Sequence, residues 1–64
     1  MDIRTIMVKK HNLKVGDLVI NLENESAGKI IWIDDRRAHG PFKVQDLSSM
    51  QTYWEAGWNL KKKD

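Results

Sequence analysis

The chain contains no cysteine, a single proline at position 41, and no apolar run longer than the four residues from Ile30 to Ile33. Without thiols neither a disulfide framework nor a thiolate metal centre is available, so apolar packing alone must stabilise a core of this size. The longest run falls far short of the ~18 apolar residues of a membrane-spanning helix. An excess of one charge sign is missing too. Residues 1–60 carry eight basic and eight acidic groups, and the formal +2 of the whole chain comes entirely from Lys61, Lys62, Lys63 and Asp64. The sequence pI near 9.1 therefore describes the closing segment and not an electropositive body.

What remains is one small domain of 64 residues in which three Trp, one Tyr and one Phe supply bulk. Large aromatics fill a small interior with few residues, each burying roughly 150–250 Å². The opening Met1-Asp2-Ile3-Arg4-Thr5 has no apolar stretch followed by a small-residue cleavage site, so no export signal is expected and the expected location is the cytoplasm.

Strand signals dominate. Residues 1–12 read as an N-terminal arm or edge strand, carried by Ile3, Thr5, Ile6, Met7 and Val8. Gly16-Asp17 reads as a turn, with Gly16 free to take positive φ and Asp17 able to accept from nearby N–H groups. In Leu18 to Leu22 the alternation makes the Leu18, Ile20, Leu22 face plainly apolar and the Val19, Asn21 face mixed. The polar and small residues 23–28 follow as a hairpin loop. Lys29 to Ile33, apolar on both faces, is expected to be the most buried strand, or else to show Ile31 or Trp32 to a partner.

Residues 34–41 form an eight-residue polar loop, longer than most hairpin connections. Phe42 to Gln45 alternates with Phe42 and Val44 inward, and Gln51 to Glu55 is a further strand. Ala56 to Asn59 reads as a tight or 3₁₀ turn before a short last strand at Leu60, after which residues 61–64 are expected to be a flexible basic tail. A helix over Asp46 to Leu60 is the competing assignment, since Leu47, Met50, Trp54 and Trp58 fit a 3.6 period. Thr52, Tyr53 and Gly57 in its interior count against it.

Four to five short antiparallel strands with closely spaced turns predict an all-β fold, a small barrel whose closure removes exposed edges. Val15-Gly16-Asp17-Leu18-Val19, followed by Ala27-Gly28-Lys29-Ile30-Ile31-Trp32-Ile33-Asp34, resembles the pattern of SH3-like barrels of the KOW type. It is similar also to small uncharacterised bacteriophage proteins, and the likeness spans residues 13–60. It implies contacts with RNA, ribosomes or transcription machinery, or, for the phage-type likeness, an accessory protein touching a host or virion component in the host cytoplasm. The chain departs from the KOW pattern at Asn21, where an inward apolar residue is usual, in the two acids that open the long loop, and in its neutral body.

Catalytic constellations are poor. The serines lack a nucleophile-elbow context, and His11 and His39 sit among turn residues. Two His separated by 28 residues, without thiolates, give no metal-ligand spacing, and although Asp34, Asp35 and His39 could converge in one loop, neither metal nor cofactor is expected. A chain this short also leaves little room for a small-molecule pocket.

A non-enzymatic binding module is therefore the expected function. Trp and Tyr are enriched among residues that dominate interfaces, which makes Trp32, Tyr53 and Trp58 the candidate contacts for a protein or nucleoprotein partner. On a strand Tyr53 and Trp54 face opposite ways; core duty is expected of Trp54, leaving Tyr53 exposed. The alternative is nucleic acid held by Lys29, Arg36, Arg37, Lys43, Lys61, Lys62 and Lys63, with Trp32 or Phe42 as stacking surface. The bland account of Asp34-Asp35-Arg36-Arg37 is a loop tip that neutralises itself. The neutral body ranks a protein partner ahead of naked nucleic acid.

Overall fold

The computed structural model describes residues 12–63. They form β1 (Leu18–Asn21), β2 (Ala27–Ile33), β3 (Phe42–Asp46), β4 (Thr52–Glu55), a single 3₁₀ turn (Gly57–Asn59) and β5 (Leu60–Lys62). All five strands belong to one antiparallel sheet of order β4-β3-β2-β1-β5. The fold is all-β, and the alternative helix over 46–60 is replaced by β4 and the 3₁₀ turn. No helix among the described residues is long and apolar enough to cross a membrane. The arm or edge strand expected over residues 1–12 lies, up to His11, outside the described residues.

Two turns set the register. Gly16 has φ +97°, a conformation that costs a side chain energy and glycine almost none, and its N–H donates to the Ile30 carbonyl at 2.7 Å. Ile30 N–H returns a bond to the Asp17 carbonyl at 3.0 Å, and Asp17 Oδ2 accepts from Lys14 N–H, also at 3.0 Å. The chain thus enters β1 already laced to β2. At the other hairpin Asp46 Oδ1 accepts from the N–H groups of Ser48 and Ser49, closing the β3–β4 turn.

This register turns the apolar alternation of β1 outside in. Val19 and Asn21 are buried, whereas Leu18 and Leu22 are exposed and Ile20 half-buried. The reason lies in the cross-strand row. Val19 sits opposite Gly28, whose missing Cβ leaves room for Val44 Cγ1 only 2.5 Å from where that Cβ would be. Inward positions therefore depend on the fit between rows and not on which face has the larger apolar sum. The core consists of Leu13, Val19, Ile30, Phe42, Val44 and Leu60, with Ile33 and Tyr53 packed against it.

The sheet is strongly curled. In a flat sheet β1 and β4 would lie about 14 Å apart, at 4.8 Å per strand spacing. Instead Asn21 Nδ2 on β1 donates to Tyr53 Oη at 3.3 Å and to Glu55 Oε2 at 3.4 Å on β4. Asn21 Oδ1 accepts from the N–H groups of Glu23 and Asn24 and from Asn59 Nδ2. One side chain, 3% exposed, thereby joins β1, its following loop, β4 and the 3₁₀ turn. The polar residue that broke the expected apolar pattern is the clasp of the fold.

The closing lysines are not a free tail. Lys61 and Lys62 belong to β5, opposite Ile20 and Val19, and Lys63 N–H donates to the Leu18 carbonyl at 2.8 Å. Lys62 also pairs with Asp17 at 3.7 Å.

Two substitutions test this account by chemical denaturation. Gly28→Ala should lower stability by about 2 kcal/mol, because the new methyl meets Val44 and the Gln45 backbone. Asn21→Leu, which completes the apolar pattern, should nevertheless destabilise by about 3 kcal/mol by orphaning the groups the amide satisfies. A more stable Asn21→Leu variant would refute the clasp.

Candidate nucleic-acid interface

A β-bulge shapes the outer face. Along β2 and β3 the register runs Ile30 opposite Val44, then Trp32 opposite Lys43 and Ile33 opposite Phe42, so one extra residue is inserted between Ile30 and Trp32. Ile30 and Ile33 both point inward, and the two residues between them lie on the outer side. Trp32 is 61% exposed and Ile31 half-buried. The strand expected to be the most buried does show Trp32.

Alternation assigns the other outward places: Leu18 and Ile20 on β1, Ala27 and Lys29 on β2, Lys43 and Gln45 on β3, Thr52 and Trp54 on β4, Lys61 on β5. Charge on these positions is of one sign. Lys29, Lys43 and Lys61 face outward, while the strand carboxylates Asp46 and Glu55 lie on the inward rows, opposite Gly28 and Phe42. A neutral body thus conceals a segregated surface.

One row concentrates these groups. Trp54, Lys43 and Trp32 are successive cross-strand partners on β4, β3 and β2. Lys43 Nζ lies 5.7 Å from the Trp54 ring centroid, and the Arg37 guanidinium carbon stands over that ring at 4.1 Å. Tyr53 takes the inward place, where its hydroxyl accepts from Asn21, so Tyr53 and Trp54 exchange the roles expected of them. Trp58, at 71% exposure, lies away from this row on the 3₁₀ turn. Phe42, the other stacking candidate, is fully buried.

The long loop is built, not slack. Asp34 N–H donates to Pro41 O at 2.8 Å, Arg37 N–H to Asp34 O at 3.1 Å and Gly40 N–H to Arg37 O at 3.1 Å. Arg37 Nε reaches Gly40 O at 3.2 Å, which aims its guanidinium across Trp54. Arg36 behaves differently. Its Nε and backbone N–H both donate to Asp34 Oδ1 at 3.1 Å, so half of the loop tip does neutralise itself. The two adjacent arginines thus divide the work, one tied to an acid and one laid on a ring.

Sequence reasoning paired Arg36 with Arg37 and Lys62 with Lys61 and Lys63. The structure brings Arg37, Lys43, Lys29 and Lys61 to the outer side and turns Lys62 to the inward row beside Asp17. Trp54 was missed as a member of the face. Its signal was the alternation of Lys43, which is outward if Phe42 and Val44 are inward, together with its pairing across β3 and β4. His39 is exposed in the loop. Among the described residues no three His, Asp or Glu side chains gather to hold a metal ion.

The scan of protein-family models, the search of curated proteins and the search of solved structures each find no match to the chain.

The Arg36 guanidinium and N–H hold the Asp34 carboxyl below its ordinary range. The charged form is the favoured one, so the stabilisation is present above the ordinary range, near pH 4, and is lost as pH falls toward the depressed value. A side-chain carboxyl NMR titration should place Asp34 below an unperturbed aspartate, and Arg36→Gln should move it upward. An unmoved midpoint would dissociate the pair in solution.

Proposed function

We propose that the chain is a non-enzymatic binding module of the SH3-like, KOW type whose outer sheet face holds nucleic acid, RNA or DNA, alone or within a nucleoprotein complex. The single observation that carries this reading is the charge segregation of the sheet. Lys29, Lys43 and Lys61 share the outward face with Trp32 and no strand carboxylate. A polyanion responds to the local field and not to the net charge, so the neutrality that ranked a protein partner first loses its force. Arg37 adds a fourth cation held by its own loop. The KOW likeness gains support from the five-stranded curled sheet, with its last strand returning beside the first.

A second reading rests on Trp58, the most exposed large apolar side chain among the described residues. On that reading the module is a phage-type accessory protein, working in the host cytoplasm, that presents Trp58 to a host or virion protein.

Fluorescence anisotropy with labelled RNA and DNA separates the two. Four phosphate contacts predict a log–log salt slope of about −2.8 for a single strand, so affinity should drop about 50-fold between 50 and 200 mM salt. Lys29→Gln should flatten that slope. Absence of binding at 50 mM, with partner capture that survives nuclease and is lost in Trp58→Ala, would replace the first reading by the second.

A further inference from the structure

Deepening the nucleic-acid reading, on which it rests, we propose that the Trp54–Lys43–Trp32 row is a two-base clamp for a single strand. Trp32 is one stacking platform, the Arg37 guanidinium lying on Trp54 is the other, and Lys43 holds the phosphate between them. Geometry of the row carries the argument. Trp32 and Trp54 flank β3 as partners of the same residue, Lys43, so their backbones stand about 10 Å apart, two strand spacings. Neighbouring nucleotides along a regular helical strand advance only about 3.4 Å. Platforms rooted on backbones three times that distance apart are not spaced for two stacked bases. They suit bases that are splayed apart, as unpaired nucleotides are when proteins take them.

The chemistry of each part matches its place. Trp32 is 61% exposed, and among the described residues no cation stands over its ring as Arg37 and Lys43 do at Trp54. Trp54 is only half-buried, yet its ring is covered by Arg37 at 4.1 Å. What it offers outward is a guanidinium plane, which stacks on a base as an aromatic ring does and brings positive charge with it. The guanidinium is held in place, because Nε is tied to Gly40 O and Cζ stands over the ring. Lys43, whose backbone stands between the platforms and whose Nζ lies 5.7 Å from the Trp54 ring centroid, is a compact cation suited to one phosphate. Paired bases inside a duplex present no free faces to either platform, so the clamp selects unpaired nucleotides.

The test compares four labelled probes by anisotropy at 50 mM salt: an eight-nucleotide oligouridylate, an eight-nucleotide oligothymidylate, an abasic strand of equal length, and a hairpin duplex. Trp32→Ala, Arg37→Lys and Lys43→Gln are measured beside wild type, with Leu47→Ala, an exposed apolar residue in the β3–β4 turn, as reference, and circular dichroism confirms each fold. The clamp predicts that removing the bases, or Trp32→Ala, weakens binding roughly tenfold or more. Arg37→Lys, which keeps the charge and loses the plane, should weaken binding several-fold with the salt slope unchanged, and Lys43→Gln should flatten the slope by about 0.7. Leu47→Ala should bind as wild type does. If the abasic strand or the duplex binds as tightly as the oligouridylate, and Trp32→Ala is silent, the clamp is overturned while the basic face stands. If no probe binds at all, the nucleic-acid reading itself falls and takes the clamp with it.

Discussion

A buried carboxamide holds this small fold in shape. Asn21 gives its two N–H donors to Tyr53 and Glu55 and its oxygen to Glu23, Asn24 and Asn59, uniting strands that three intervals of a flat sheet would separate. Burying an amide is costly unless its bonds are made, and here the two that Nδ2 donates, to Tyr53 and Glu55, are made only in the curled arrangement. A leucine at this position would pack against many curvatures, whereas those two donors are satisfied by one. With no disulfide to brace it, the chain obtains its shape from a polar group whose partners converge at a single geometry.

The outer face follows from that curvature together with one local irregularity. Without the bulge in β2, Trp32 and Ile33 would exchange sides, and the core would have to accept an indole where Ile33 now packs against it. The inserted residue instead places Trp32 in line with Lys43 and Trp54. The paired turns of the 34–41 loop then lay Arg37 over the end of the same row. A surface that combines aromatic rings and cations thus arises from three backbone devices: a bulge, a register and a hydrogen-bonded loop.

Net charge was the least informative quantity in the sequence. It counts Asp46 and Glu55 against Lys29 and Lys43, although these groups lie on opposite sides of the sheet. It also counts Arg36, tied to Asp34, as equal to Arg37, which lies on Trp54. The field that a ligand meets depends on facing and pairing, and neither is present in a sum.

Much of the architecture was written in the chain. The strand-rich pattern, the Gly16 turn, the inward Phe42 and Val44 and the 3₁₀ turn before the last strand rest on backbone propensity and local alternation, which act over a few residues. The facing of β1, the exchange of Tyr53 and Trp54, the ordered place of Lys61 and Lys62 in β5 and the composition of the outer face were decided only in three dimensions. Each depends on which residue stands across a strand from which. That choice is made by long-range contacts, such as Val44 filling the space beside Gly28 and Asn21 reaching Glu55, whose partners lie far apart along the chain.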